Sequence, residues 1–526
     1  MRFLPRSLSL AVAGLCAGVV LTTGLQAIAA DGDKSTKLPL EDIELFADVY
    51  GSIKNFYVDE VPDSELMENA IKGMVEGLDP HSSFLDYKEF KDMQESTTGE
   101  FGGLGLEVTK DPSGVRVVSP IDDTPAARAG VMAGDLIIKI DGKATADLSL
   151  NENVKLMRGK PKTKIVLTIA RKGESKPIVV NLVRDIIKVK SVKSKELSDG
   201  LGYIRISQFQ EHTAEDVAQA LVKLNQNKHL KGVVLDLRNN PGGLLNAAIG
   251  VSAAFLPADS LVVSTRGRNP QEERKFTASY KDYSTSNSGK DYIATLPAVV
   301  KSVPVVVLIN PASASASEIV AGALQDHKRA TIMGTRSFGK GSVQTILPLR
   351  MKRDETTGVK ITTARYYTPS GRTIQAKGIT PDVAVDDTPE GNYPSFTIRE
   401  SDLAHHIEVA DTTKGKNGKA DAKAKDNEKA REKAKERDAE LDLEEDAKVP
   451  TLRYMFGDEE DFPLQQARAY LLGKDVITHD ETQAKLKAER EAARKAKEAA
   501  ANAKGKTGKS AATEKQKAGE ASDAKK

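Results

Sequence analysis

Ser313, Ser315 and Ser317 alternate with alanine in Asn310-Pro-Ala-Ser-Ala-Ser-Ala-Ser-Glu-Ile, a stretch that joins the apolar run Val303–Ile309 to the helically spaced segment Ile319–Leu324. A serine at a strand-to-helix turn can serve as a nucleophile. Its Oγ stands clear of the sheet, and the free N–H groups and positive potential of the helix N-terminus suit an oxyanion. The same letters also describe an ordinary helix start, because Ser315-x-x-Glu318 fits a capping box and small residues suit a tight turn. A nucleophilic serine needs a base. His327 lies 12 residues further along the same predicted helix, and at 1.5 Å per residue that is roughly 18 Å, out of reach of Ser315. His212 and His229 would need tertiary contacts that sequence does not reveal.

A lysine is the other candidate. Lys340, in Ser337-Phe-Gly-Lys-Gly341, follows Ala330–Met333, the strand that brings the chain back from that helix. Its flanking glycines let the backbone turn sharply. At a reference pKa of about 10.4 a lysine is only about one part in 2,500 neutral at pH 7. Burial among apolar groups, without a carboxylate partner, lowers that value and makes the amine a competent base. An exposed loop lysine is the ordinary alternative. Gln344, four residues on, can hold the amine by an amide hydrogen bond without recharging it. A third motif, Asp236-Leu-Arg238-Asn-Asn240-Pro-Gly242-Gly243, follows another apolar run. Its glycine N–H groups can face a developing oxyanion, or the segment is a plain turn.

These motifs need a scaffold. Gly232–Leu237 and Val303–Ile309 are unbroken apolar runs, as in strands buried on both faces of a sheet. With Tyr203–Ile206, the amphipathic Val217–Leu224, Ala330–Met333 and Val343–Leu347 they give an α/β pattern over 195–390, with 266–291 expected as a polar surface loop. Residues 38–95 read as helical, with Leu45, Val49, Ile53 and Phe56, then Leu66, Ala70, Met74 and Leu78, at helical spacing. That apolar face serves either internal packing or a second copy of the chain. Between 100 and 184 short strands alternate with glycine turns. A linker and a short docked helix around Leu464–Leu472 are expected over 391–473, then a disordered Lys/Ala/Glu-rich tail over 474–526, too poor in apolar groups to offset its ordering entropy.

Length and composition agree with that division. The 526 residues allow about three domains plus tails. A net charge of +2 argues against a nucleic-acid partner, which calls for a dominant basic face. The single cysteine, Cys16, excludes a disulfide scaffold, a cysteine zinc site and an iron–sulfur cluster. No His/Asp/Glu grouping has metal-ligand spacing, so neither metal nor cofactor is expected. Arg2 and Arg6, the apolar Leu8–Leu21 and the small residues Ala27-Ile28-Ala29 make residues 1–30 a signal peptide. The chain is therefore expected to be exported to a periplasm or cell envelope, with no stable membrane span once the signal is removed. An uncleaved anchor and a lipidated Cys16 are the alternatives.

Taken together, Arg-x-Asn-Pro-Gly-Gly, Ser-Ala-Ser-Ala-Ser-Glu-Ile and Phe-Gly-Lys-Gly-x-x-Gln, in that order and with Lys340 placed 25 positions after Ser315, resemble the carboxyl-terminal processing peptidases, or tail-specific proteases. The resemblance runs from about 40 to 390. It implies an α/β peptidase core of the ClpP/crotonase-like type into which a PDZ domain is inserted. It also implies Ser315 as nucleophile, Lys340 as general base, Gln344 as its positioner, and oxyanion donors from Ala316 and the Gly242–Gly243 turn.

The segment Phe101-Gly102-Gly103-Leu104-Gly105-Leu106 resembles the carboxylate-binding loop of PDZ domains, as Ala126–Gly142 resembles a later part of that fold. Backbone N–H groups of Gly103, Leu104, Gly105 and Leu106 could grip a terminal carboxylate, with Leu104 and Leu106 lining a pocket for an apolar last side chain. The expected partners are the C-terminal tails of exported proteins. An adaptor that delivers them, and a homo-oligomer through the N-terminal helices, stay open. Two functions follow: a serine endopeptidase that reads C-terminal tails, or a silent scaffold that only binds them. Only the first needs Ser315, Lys340 and Gln344 together.

Overall fold

The computed structural model describes residues 39–121, 123–226, 230–268, 273–284, 290–350, 356–392, 398–408, 458–489, 491, 492, 494 and 495. The expected signal peptide, His229, the stretch 409–457 and the tail from 496 lie outside the described residues. Two units are distinguished, one ending at Met74 and one beginning at Val75.

In the first unit α1 (Leu40–Phe56) opens with Glu41 and Asp42, which complement the helix dipole. None of its residues is buried, and Leu45, Val49 and Phe56 expose most of their apolar surface. Helix α2 (Asp63–Glu76) follows.

The second unit begins with β1 (Ser83–Leu85), a strand inside the stretch expected to be helical throughout. Its Phe84 and Leu85 are both buried, and three residues are too few to show a strand period that would interrupt the helical reading. Helix α3 (Tyr87–Thr98) starts with a capping box, Asp86 accepting from Glu89 N and Glu89 from Asp86 N. Gly99 ends it in the left-handed region, as helix C-caps prefer.

An antiparallel pair then forms a stem: β2 (Glu100–Gly103) and β9 (Asp185–Lys188), with Gly103 opposite Asp185. Between them lies a β domain built from β3 (Leu106–Asp111), β4 (Gly114–Pro120), β5 (Leu136–Ile140), β6 (Lys143–Ala144), β7 (Lys164–Ala170) and β8 (Ile178–Val183), with α4 (Leu150–Met157). The sheet order is β3-β4-β5-β7-β8, so β3 is an edge strand. β2 ends at Gly103 and β3 begins at Leu106, and the chain breaks between them at Leu104-Gly105, where Gly105 takes φ +77°.

The core sheet has the order β10-β11-β12-β15-β16-β19: β10 (Val192–Glu196), β11 (Leu201–Ile206), β12 (Gly232–Asp236), β15 (Val305–Ile309), β16 (Thr331–Gly334) and β19 (Val383–Ala384). All pairs but β10–β11 are parallel. Every residue of β12 and β15 is buried, which explains their unbroken apolar runs. Helices α5 (Thr213–Leu224), α6 (Leu245–Phe255) and α7 (Ala316–Asp326) pack with this sheet in one apolar core. A second sheet, β1-β18-β13-β14 with β17 on β18, uses β13 (Leu261–Gly267), β14 (Arg274–Thr277), β17 (Ser342–Arg350) and β18 (Thr356–Tyr367). The expected loop at 266–291 thus contributes β14 and a short helix, Tyr280–Tyr283, because Tyr283 and Ala278 bury their side chains despite polar neighbours.

Helix α8 (Phe462–Leu471) seats Leu464 and Ala467 beside Val234, Val306 and Leu308. Residues 479–489 are helical as well, a correction to the tail expected to be disordered from 474. What anchors that helix is polar. The buried carboxylate of Asp386 meets His479 Nδ1 at 2.7 Å and Gln483 Nε2 at 3.4 Å, and Thr482 is buried.

Candidate active site

Three neighbouring parallel strands end at the same edge of the core sheet, and each feeds one of the sequence motifs. β12 leads to Arg238–Gly243, β15 to Asn310–Ser315 and β16 to Ser337–Gly341. Carboxyl ends of adjacent parallel strands are where such sheets place their ligands.

The first two loops are stitched by short side chains. Ser313 Oγ donates to Leu237 O at 2.8 Å, Ser317 Oγ to Asn240 O at 2.9 Å, and Asn310 exchanges hydrogen bonds with Asn239. The alanines between the serines let the loops close up. A Cβ on Gly242, where φ is +100°, would come within 2.8 Å of Ser315 Cβ and 2.9 Å of Ala316 N, so only glycine fits there. Gly242 N is taken by Asn240 Oδ1 at 2.9 Å. Neither Gly243 N nor Ala316 N has a hydrogen-bond partner among the described residues.

Ser315 itself has φ +54° and ψ −111°, an unfavourable pair for a residue with a Cβ. Such strain persists only where surrounding contacts impose it, and here they converge on one carboxylate. Glu318 is fully buried. Its Oε2 accepts from Ser315 N at 2.8 Å and Lys340 N at 2.9 Å. Its Oε1 accepts from Gly339 N at 2.7 Å and Ser337 Oγ at 2.6 Å. One oxygen therefore ties the backbone of the serine to that of the lysine. Burial pushes the Glu318 carboxyl up to about 7, against the four donors that hold it down. The Ser-x-x-Glu spacing was readable as a capping box, but nothing local signals that the same carboxylate also reaches Gly339 and Lys340.

Lys340 is largely withdrawn from water. Burial lowers its pKa first, the charge of Lys360 lowers it further, and Glu400, Asp79 and Glu318 oppose both at a distance. No ion pair or hydrogen bond of its Nζ occurs among the described residues. Gln344 stands apart from it: Nε2 donates to Ser342 Oγ at 2.9 Å and Thr362 Oγ1 at 3.2 Å, and Thr362 Oγ1 donates on to Asp79 Oδ1. No hydrogen bond joins Gln344 to Lys340. Glu400, also fully buried, meets His81 Nε2 at 2.7 Å and Gln375 Nε2 at 2.9 Å, while Gln375 Oε1 accepts from Gly341 N beside the lysine. Sequence reasoning missed Asp79, Gln375 and Glu400, which are brought in from distant segments. Beside Lys340 a cavity of about 420 Å³ is walled by Pro241, Pro311, Ala312, Ala314, Phe338 and Ile398.

His327 closes α7 and meets Leu261 O at 2.7 Å, away from Ser315's end of the helix. No cluster of metal-binding side chains occurs among the described residues.

In the β domain Leu104 N and Gly105 N have no hydrogen-bond partner among the described residues, while Leu104 O and Gly105 O accept from Ala126 N and Ile121 N. Gly103 pairs within the stem and Leu106 opens the β3 edge. Leu104 is only 3% exposed and belongs to the domain core. Of the two leucines expected to line a pocket, Leu106 alone keeps accessible surface, because the Leu104 side chain turns inward.

The profile of Peptidase family S41 matches residues 200–385, that of PDZ domains 102–182, and that of the activating protease CtpB N-terminal domain 21–89. The chain is 48% identical over 415 residues to a carboxy-terminal-processing protease of Bartonella bacilliformis, covering 78% of this chain and 90% of that protein. It is 33% identical over 384 residues to the carboxy-terminal processing protease CtpA of Bacillus subtilis, covering 72% and 77%. Among solved structures it resembles a photosystem II D1 C-terminal processing protease, with 31% identity, TM-score 0.36, and coverage of 65% of this chain and 86% of that one.

Proposed function

Because the chain belongs to the carboxy-terminal-processing protease family, and so is a peptide-bond hydrolase with a PDZ domain, we propose that Ser315 is its nucleophile and Lys340 its general base. The observation that carries this assignment is the single Glu318 oxygen that accepts from both Ser315 N and Lys340 N. It places the two residues side by side, and burial favours the neutral amine. Neutral Lys340 takes the proton of Ser315 Oγ as that oxygen attacks the scissile carbonyl carbon. The tetrahedral oxyanion meets Ala316 N–H and the Gly242–Gly243 turn, where Gly243 holds the uncommitted N–H. As the C–N bond breaks, Lys340 returns the proton to the leaving amine. Water then attacks the acyl-serine, again giving its proton to the lysine, and Ser315 is regenerated. Gln344 positions the amine only after its side chain leaves Ser342 and Thr362. The cavity beside Lys340 takes an apolar side chain from the substrate.

The substrates are C-terminal tails. Free N–H groups of Leu104 and Gly105 suit a terminal carboxylate, the β3 edge can pair with an extended peptide, and Leu106 faces its last side chain. The sequence features of residues 1–30 support export to a periplasm or envelope. Among the described residues no helix is long and apolar enough to cross a membrane. The exposed apolar face of α1 suits a second copy of the chain, and an adaptor that delivers tails is compatible with the PDZ reading.

Ser315→Ala tests the assignment. Cleavage of an unfolded substrate should vanish while the melting temperature stays near the wild-type value. Retained cleavage would remove Ser315 from the chemistry.

A further inference from the structure

Arg238 opens the turn that carries Gly242 and Gly243, and its guanidinium is gripped from two sides. Nε and Nη2 donate to Asp236 Oδ1 and Oδ2 at 3.0 and 2.8 Å, and Nη1 and Nη2 to Asp461 Oδ1 and Oδ2 at 2.8 and 2.5 Å. Asp236 is heavily committed already, to Tyr203 Oη, Arg205 Nη1 and the Arg238 backbone N. All three members of the Asp–Arg–Asp group are buried. Asp461 is separated from Arg238 by 223 residues. It also lies beyond the residues that the peptidase profile covers, which end at 385.

Two forks on one planar guanidinium leave it no rotational freedom. The residue after it, Asn239, takes φ +56° and exchanges hydrogen bonds with Asn310, so the chain turns sharply immediately beyond the gripped arginine. Asp461 is placed by local chemistry. It caps α8, accepting from Leu464 N at 3.2 Å, while Leu464 and Ala467 anchor the helix on the sheet. The apolar anchors seat the helix, and the cap residue hands a carboxylate to the turn.

We propose that Asp461 is a positioning residue for the peptidase reaction: through Arg238 it fixes the 239–243 turn that presents N–H groups to the oxyanion, making the segment 458–471 a working part of the active site. The proposal rests on the oxyanion role assigned above to that turn. A displaced turn would weaken transition-state contacts and leave ground-state binding at the cavity and the PDZ loop intact. The loss should fall on kcat rather than KM.

The test compares full-length wild type with Asp461→Asn and Leu221→Ala on an unfolded substrate ending in an apolar residue. Asp461→Asn keeps the helix cap and removes the charge. Leu221, fully buried in the last turn of α5, supplies a core deletion that touches neither α8 nor Arg238. Losing an oxyanion donor outright costs about 10²–10³ in kcat, so an indirect displacement should cost roughly tenfold to a hundredfold. The expected result for Asp461→Asn is that loss, with KM within about threefold and slower labelling by a fluorophosphonate. Leu221→Ala should melt lower but keep kcat within about threefold. Equal kcat losses in the two variants, or an unchanged kcat in Asp461→Asn, would overturn the proposal. Should Asp461→Asn fail to fold, Asp461→Glu, which shifts the fork by one methylene and keeps the charge, is read against Leu221→Ala in the same way. Cleavage that survives Ser315→Ala would instead indict the underlying mechanism.

Discussion

Replacing Glu318 by glutamine should make the protein less active and, at alkaline pH, relatively more stable. The carboxyl is fully buried and titrates near 7, against an ordinary value of 4.5. At 1.36 kcal/mol per pH unit, the ionised form costs the fold about 3 kcal/mol. The folded-state value is raised, so the favourable contribution is complete below 4.5 and lost as the pH rises through 7. Glutamine does not titrate. The stability of Glu318→Gln minus that of wild type should therefore rise by about 3 kcal/mol between pH 4 and pH 8. Urea unfolding at the two pH values measures it. The activity argument runs the other way. Four donors face the two carboxylate oxygens, and an amide turns one oxygen into a further donor. With the NH₂ at the Oε2 position, Ser315 N and Lys340 N both lose their acceptor. With it at Oε1, Gly339 N does. Each orphaned buried donor costs about 1–3 kcal/mol, so kcat should fall roughly tenfold to a hundredfold. A stability difference that does not change with pH, or a variant with wild-type kcat, would refute the reasoning.

Three further outcomes are expected. Lys340→Arg should be inactive because guanidinium stays charged, and wild-type kcat should rise with pH through a value below that of an ordinary lysine; a pH–rate profile of both proteins decides. Amidating a substrate's C-terminus removes the negative charge and turns one of the two oxygens that Leu104 N and Gly105 N await into an NH₂ donor, and at about 1.5–3 kcal/mol per charge-assisted hydrogen bond kcat/KM should drop roughly tenfold to a hundredfold, whereas equal cleavage of both forms would exclude tail reading. Ending the chain at Gly473 strips His479 and Gln483 from Asp386 and should lower the melting temperature by several degrees, where an undocked tail would leave it unchanged.

The parts of this molecule that could be read from its sequence are those that neighbours in the chain decide. Buried parallel strands announce themselves as apolar runs, and the glycines of the Arg238–Gly243 and Ser337–Gly341 turns mark where the backbone must bend or approach closely. Helix α6 gave no such signal: nine of its residues, Ala247–Phe255, are buried, so it lacks a polar face and a helical period. The strand β1 and the Tyr280–Tyr283 helix are too short for a period to emerge. What sequence could not supply was long-range polar pairing. Glu318 could be seen capping a helix but not holding the lysine loop. The docked helix around Leu464–Leu472 could be read, but not the grip of its cap residue, Asp461, on Arg238. Leu104 looked like a pocket wall and proved to be core, since one residue's orientation at a broken strand decides which face it lines.

The stem formed by β2 and β9 bears on how such an enzyme can change its address. Gly103 and Asp185 sit opposite each other, about 5 Å apart as antiparallel partners are, so everything between them begins and ends at one point. A two-residue hairpin turn could bridge that gap, and any small domain whose termini lie equally close could be spliced in its place. The blade and the label reader are thus inherited in one chain yet exchangeable as cassettes: the same cutting edge could be sent to new targets by swapping residues 104–184 alone.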